Sequence, residues 1–257
     1  MDAYVVNAFT DAPFGGNPAG VVLLDAPAEA DWMQSVAAQL KHSETAFVVR
    51  APEGEPKPLR WFTPTTEVEL CGHATLAAAH VLGGDQRFRT RSGELTCTSS
   101  GGTVELDFPA DEAGPVEPPA DLAGGLPGTT IERVARGSAD VLVQLESAEQ
   151  VRALQPDLVA LERVETRGVI VTARGEAAGV DFVSRFFAPR YGIPEDPVTG
   201  SAHCVLAPWW AAELERSGEL TGEQLSARGG VVHAEPRGSR VALRGSAVTA
   251  LRGELLV

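Results

Sequence analysis

The sequence predicts an α+β protein of two similar domains, each with one buried helix wrapped by strands. Three observations carry that prediction. The order of apolar segments repeats along the chain, Ala173 following Ala51 by 122 residues and Pro189 following Pro64 by 125. Two helical segments, one in each repeat, have almost no polar face. A proline-rich stretch, Pro109 to Pro119, separates the halves.

In the first half an apolar strand, Val21 to Leu24, leads into a helical pattern with Met33, Val36, Ala37 and Leu40 on one face. A strand at Ala46 to Val49 follows, then Arg60-Trp61-Phe62-Thr63-Pro64, then a small-residue turn, Cys71-Gly72-His73, that opens an apolar helix. The second half repeats the order. Val141 to Val143 is the strand, and Ser147 with Gln150 reads as a capping box for a helix carrying Val151 and Leu154. Gly168 to Thr172 is the next strand, Arg185-Phe186-Phe187-Ala188-Pro189 answers Arg60 to Pro64, and Thr199-Gly200-Ser201 opens the last helix. The segments Ala74 to Leu82 and Ala202 to Trp210 are too apolar to lie on a surface, so each is the expected central rod of its domain. Pro208 should kink the second rod or end it early. Val231 to Ala234, Arg240 to Leu243 and Ala247 to Leu251 read as strands around turns such as Arg237-Gly238-Ser239. Prolines at 109, 115, 118 and 119 cannot continue a helix or a central strand. The expected domains are therefore 1–109 and 120–257 with a linker at 110–119, and the last strand has the option of packing on the first domain.

Composition narrows the function. Lys plus Arg number 21 against 35 Asp plus Glu, a net charge of −14, and lysine occurs only at Lys41 and Lys57. Nucleic acid is excluded as a main ligand, because phosphate binding needs clustered cations. No apolar run reaches the roughly 20 residues that span a bilayer, and the start, Met1-Asp2-Ala3-Tyr4, lacks a basic signal-peptide region. A cytoplasmic location without membrane contact is expected. Cys71, Cys97 and Cys204 are too few for a secreted disulfide framework. Dinucleotide-glycine, phosphate-loop, nucleophile-elbow and C-x-x-C motifs are missing.

If a pseudo-twofold axis relates the halves, the starts of the two buried helices face each other and form an anion site from backbone N–H groups, with Gly72 and Gly200 allowing close approach. Such a site holds a carboxylate without a cation cluster; the plainer alternative is a tight turn before each core helix. Glu44, in Ser43-Glu44-Thr45, sits at the mouth of an apolar strand, where partial loss of water raises a carboxyl pKa toward neutrality. A solvated acid in a helix-to-strand loop is the alternative, and pattern alone does not select Glu44. His73 and Asp196 flank the helix starts, where a neutral imidazole and a carboxylate can orient or relay a proton. A capping or core histidine and an Asp-Pro turn are the alternatives. Cys71, His73, His203 and Cys204 can also be written as a zinc site.

Four blocks carry a family resemblance: Phe9-Thr10-Asp11 with Pro13-Phe14-Gly15-Gly16-Asn17-Pro18-Ala19, then Ser43 to Phe47, then Gly72-His73-Ala74-Thr75, then Glu195-Asp196-Pro197-Val198-Thr199-Gly200-Ser201. In this order, spanning nearly the whole chain, they closely resemble the PhzF-like family of phenazine biosynthesis. The resemblance implies the diaminopimelate epimerase-like fold, two similar domains each wrapping a mostly antiparallel barrel around a central helix. It places the family's acid/base glutamate on Glu44, its histidine on His73 and its aspartate on Asp196, with backbone groups around Gly72, Ala74, Gly200 and Ser201 holding the substrate carboxylate. It further implies a homodimer and an isomerase that needs no metal or organic cofactor; the best-known member acts on trans-2,3-dihydro-3-hydroxyanthranilate.

Epimerases and racemases of this fold use two facing cysteines, one at each helix start. Cys71 stands at the first start here, but the second reads Pro197-Val198-Thr199-Gly200-Ser201. The expectation is a single-glutamate proton shift on a small, cyclic carboxylate or amino-acid-like substrate. The other readings are a non-catalytic carboxylate-binding protein on the same fold and a zinc-dependent hydrolase.

Overall fold

A computed structural model describes residues 1–52 and 54–257. The chain divides into two compact units, Met1–Asp107 with Arg244–Val257, and Phe108–Leu243. The first contains β1 (Asp2–Ala8), β2 (Asn17–Leu24), α1 (Ala30–Leu40), β3 (Glu44–Val49), β4 (Lys57–Phe62), β5 (Glu67–Val68), α2 (Gly72–Leu82), β6 (Gln86–Thr90), β7 (Gly93–Ser100) and most of β8 (Thr103–Pro109). The second contains β9 (Gly114–Pro115), α3 (Leu122–Gly125), β10 (Ile131–Arg136), β11 (Asp140–Leu145), α4 (Ala148–Ala153), α5 (Leu158–Arg163), β12 (Gly168–Arg174), β13 (Phe182–Ala188), β14 (Ile193–Asp196), α6 (Gly200–Glu213), β15 (Leu220–Gln224) and β16 (Gly230–Arg237). The last strand, β17 (Arg240–Glu254), begins in the second unit and ends in the first.

The duplication seen in the sequence recurs in the strand pairing. In the first unit β2 and β3 are parallel, β3 and β4 antiparallel, β4 and β6 parallel, and β6 and β7 antiparallel. In the second, β11 with β12, β12 with β13, β13 with β15, and β15 with β16 repeat the series. Each parallel pair requires a crossover. Helices α1 and α2 supply it in the first unit, α4 with α5, and then α6, in the second. The first-unit strands close into a ring, β17-β1-β2-β3-β4-β6-β7-β8, because β8 pairs back to β17. Helix α2 is buried from His73 through Ala79, which is why it carries no polar stripe.

Both faces of the central strands are covered, so they read as continuous apolar runs rather than alternating ones. In β11, Val141 and Val143 pack in a cluster with α4 and α5, whereas Leu142 joins Ala202, Val205, Leu206 and Trp210 of α6 on the other face. Met33, Val36 and Ala37 of α1 similarly cover Val22, Leu24 and Phe47.

Four points of the sequence reading meet the structure differently. Of the two outcomes expected at Pro208, a kink or an early end, the early end does not occur, since α6 continues to Glu213. A proline inside a helix costs about 3 kcal/mol, partly because the carbonyl four residues back loses its N–H partner. That carbonyl belongs to Cys204, and the backbone N–H of Asp111 donates to it at 3.1 Å. Residues 110–119 are consequently part of the second unit, with Pro115 paired to Ala135 and the Asp111 carboxylate accepting the N–H of Ser138 at 2.9 Å. The segments at 240–243 and 247–251 form one continuous strand, and its pairing with β1 puts residues 244–257 in the first unit, the option the sequence left open for the last strand. Finally, only half of the capping box forms. Ser147 Oγ accepts the N–H of Gln150, but the Gln150 side chain serves Thr130 and Glu146 instead. No helix of the described residues is long and apolar enough to cross a membrane.

Candidate active site

Glu44, Gly72, His73 and Ala74 gather in the first unit. Glu44 opens β3, opposite Ala19 in the parallel register with β2. Its side chain is 14% exposed, and its Oε2 lies 3.2 Å from Nε2 of His73. The contact is close, but the ring N–H is not aimed along it, so Nε2 has no well-directed hydrogen bond. His73 is buried in the first turn of α2. The N–H groups of Gly72, His73 and Ala74 precede the first helical bond, from the Thr75 N–H to the Cys71 carbonyl at 3.2 Å, and thus lie at the positive end of the helix.

Asn17, the first residue of β2, decides the state of the imidazole. Ser43 Oγ donates to Asn17 Oδ1 at 3.2 Å, and Asn17 Nδ2 faces Nδ1 of His73 at 3.3 Å. An amide nitrogen has no lone pair to offer, so Nδ1 accepts and the ring proton sits on Nε2, the nitrogen 3.2 Å from Glu44 Oε2. The Cys71 thiol, 3.6 Å from Nδ1, is a second donor to the same nitrogen. Burial pushes the His73 pKa down to about 3; the ring is neutral at neutral pH.

Glu44, Cys71 and His73 are also the one group among the described residues able to hold a metal ion, with ligand atoms within 4.8 Å of one another. The close approaches use opposite ring nitrogens, Nε2 for Glu44 and Nδ1 for Cys71. The zinc set written from sequence does not form: His203 Nδ1 donates to the Thr199 carbonyl at 2.8 Å and Cys204 Sγ to the Gly200 carbonyl at 3.5 Å, both within their own helix turn. Burial raises the Cys204 thiol pKa to about 12 and lowers that of His203 to about 4.

Asp196, Gly200 and Ser201 gather in the second unit. Asp196 ends β14, and its Oδ2 accepts the Thr199 hydroxyl at 2.6 Å. Buried Gln224 braces this turn, accepting from the Thr199 N–H at 2.9 Å and donating to the Asp196 carbonyl at 2.8 Å. The first helical bond of α6, from His203 N–H to the Thr199 carbonyl at 3.3 Å, again leaves three N–H groups ahead of it, on Gly200, Ser201 and Ala202. Arginines missed by the sequence reading support both units. Arg60 is bidentate to Glu67 at 2.7 and 2.8 Å, and its counterpart Arg185 to Glu195 at 2.8 and 2.9 Å. Arg167 has a different setting, holding buried Asp140 and reaching Ser201 Oγ at 3.0 Å. Asn17 lay within a quoted motif, yet its partner is 56 residues away. Nothing near Arg167 in the sequence marks Asp140 or Ser201 as its neighbours.

Comparison with known proteins places these residues in context. The description of phenazine biosynthesis-like proteins, PhzC-PhzF, matches residues 6–253. The uncharacterized isomerase PA3578 of Pseudomonas aeruginosa is 49% identical, over 99% of this chain and 98% of that protein. A crystal structure of a PhzF-family phenazine biosynthesis protein from Enterococcus faecalis superposes with a TM-score of 0.93 at 39% identity, covering 100% of this chain and 99% of that one. A predicted epimerase of Pseudomonas aeruginosa, 20% identical, shares the fold with a TM-score of 0.76, over 100% of this chain and 99% of its own.

Proposed function

The chain belongs to the phenazine biosynthesis-like PhzF family and is an enzyme of the isomerase type with a diaminopimelate epimerase-like fold, and from that premise we propose that it moves a proton on a small, cyclic carboxylate by single-glutamate acid/base catalysis. Glu44 takes the proton from one carbon and returns it to another. His73 orients or relays, Asp196 assists, and backbone groups of Gly72, Ala74, Gly200 and Ser201 bind the carboxylate. The observation that carries this reading is the pairing of a shielded carboxylate with an imidazole kept neutral, 3.2 Å apart at a helix start. A neutral ring can donate a hydrogen bond without pinning Glu44 in its ionised form, leaving the carboxyl free to cycle between base and acid. Proton transfer of this kind needs no organic cofactor, and by the family resemblance the enzyme acts as a homodimer.

The test has two steps. Unsaturated cyclic amino- and hydroxycarboxylates are incubated with the enzyme in deuterium oxide, and nuclear magnetic resonance identifies a substrate by a shifted double bond. Glu44→Gln is then assayed on it. This substitution keeps shape and hydrogen-bonding reach but removes the titratable group, so kcat should fall by about 10² to 10⁴ with a much smaller change in KM. Near wild-type turnover, with the fold verified by circular dichroism, would remove Glu44 from the mechanism and make Asp196 the next candidate base.

A further inference from the structure

The turn at 196–199, which leads into α6, is pinned along its backbone. Gln224 of β15, fully buried, accepts the Thr199 N–H through Oε1 at 2.9 Å and donates from Nε2 to the Asp196 carbonyl at 2.8 Å. Ser226 Oγ, just past β15, donates to the Pro197 carbonyl at 2.8 Å. His203 Nδ1, one turn into α6, donates to the Thr199 carbonyl at 2.8 Å. None of these bonds needs the Thr199 side chain, so the path of the turn is set without it.

Against this fixed backbone the Thr199 hydroxyl has another assignment. Thr199 is the N-cap of α6, where a threonine oxygen ordinarily accepts an N–H of the first helical turn, yet it makes no such bond. Instead Gln224 Nε2 donates to Oγ1 at 3.2 Å, and Oγ1 lies 2.6 Å from Asp196 Oδ2. The directions follow from the groups present. The Gln224 amide has one orientation, because its oxygen has to meet an N–H and its nitrogen a carbonyl. An ionised carboxylate only accepts, so the single hydroxyl hydrogen lies on the bond to Asp196.

We propose that Thr199 is a positioning residue for Asp196: its hydroxyl, not spent on capping α6, holds the Asp196 carboxylate in the one rotamer that the proton shift uses. A short bond from a hydroxyl to a carboxylate is of the stronger, charge-assisted kind. The β-branched side chain of threonine is stiff at χ1, so the oxygen that holds the carboxylate is itself held. The inference rests on the reading above that Asp196 assists the proton shift.

Thr199→Val removes the hydroxyl and keeps the branched shape. Because the turn is pinned through backbone groups, the variant should fold, which thermal melting checks; Thr199→Ala is the second variant should valine not be accommodated. Three-bond nuclear magnetic resonance couplings to the Asp196 β-hydrogens read the rotamer with no substrate present. Wild type should show a single Asp196 rotamer, Thr199→Val an average over rotamers, and Thr199→Ser, which restores the hydroxyl, mostly the single one. These couplings decide whether the hydroxyl holds Asp196, whatever the substrate screen returns. On a substrate from the deuterium oxide screen, kcat of Thr199→Val should fall about tenfold or more, the size of one charge-assisted hydrogen bond, with little change in KM. Thr199→Ser should recover most of that loss. A hydroxyl that only stabilises the turn would instead lower the melting temperature and leave kcat alone. A wild-type Asp196 that already averages its rotamers, a valine variant that keeps the single rotamer, or a valine variant with near wild-type kcat overturns the proposal. Asp196→Asn separates the two levels. If it leaves turnover unchanged, Asp196 takes no part in the proton shift and the underlying reading fails; if it lowers kcat while Thr199→Val does not, only the role of Thr199 fails.

Discussion

The side-chain amide of Asn17 faces Nδ1 of His73 at 3.3 Å while accepting the Ser43 hydroxyl at 3.2 Å, so a buried asparagine sets which ring nitrogen carries the proton. Asn17→Asp replaces the donor by an acceptor of nearly identical shape. Nδ1 would then have to carry hydrogen, leaving Nε2 as a bare lone pair facing the Glu44 carboxylate. A wrong-tautomer histidine costs catalysis on the scale of general acid/base contributions, so kcat should fall by about 10² or more. Nitrogen-15 chemical shifts of His73 should show the tautomer inverted; an unchanged tautomer would disconnect Asn17 from the ring.

Cys71 donates to the same ring nitrogen from 3.6 Å. Asn17 alone suffices to hold the tautomer, and the single-glutamate reading gives the thiol no proton to transfer. Cys71→Ala should therefore keep turnover within about tenfold of wild type, well short of a lost acid/base group. If turnover vanished while the melting temperature held, thiol chemistry at the first helix start would have to be restored.

Burial lowers the pKa of His73 to about 3 and that of His203 to about 4, from an ordinary 6.5. Below pH 6.5 the unfolded chain takes up protons that the folded one refuses. Stability should thus fall with decreasing pH from 6.5 down to the two folded values, each histidine contributing on the order of 1 kcal/mol per pH unit. His203→Gln retains a donor for the Thr199 carbonyl and removes one titration. Urea unfolding at several pH values should show a shallower acid slope for the variant, and an identical slope would contradict a neutral buried His203.

Gly168 stands beside Arg167 with no room for a side chain. A Cβ there would lie 2.2 Å from Cζ of Phe186 and 3.1 Å from Oδ1 of Asp140. Gly168→Ala should displace the Phe186 ring and cost about 1–3 kcal/mol, as overpacking of a filled core does. Denaturant unfolding measures the loss; a stability within a few tenths of wild type would mean that Phe186 moves aside freely.

Much of the architecture was legible in local pattern. Met33, Val36 and Ala37 marked the face of α1 that is buried, and the missing polar stripe of α2 and α6 marked them as enclosed. An early end at Pro208 stayed open because helix propensity is judged from neighbours in sequence, whereas the N–H that compensates the proline comes from Asp111, far upstream. The zinc set misled for a related reason. Residue types near two helix starts suggested ligands, but His203 and Cys204 spend their polar atoms on their own helix turn.

By itself the sequence determined the duplicated order of elements and the two enclosed helices, because periodicity and turn chemistry are properties of adjacent residues. Tertiary structure alone decided the protonation geometry. The amide that faces His73 lies 56 residues from it, and Arg167 stands 27 residues from the carboxylate that clamps it and 34 from the hydroxyl it hydrogen-bonds. Hydrogen-bond direction depends on which donor meets which acceptor in space, and the parallel crossovers that bring β2 beside β3 and β11 beside β12 create those meetings.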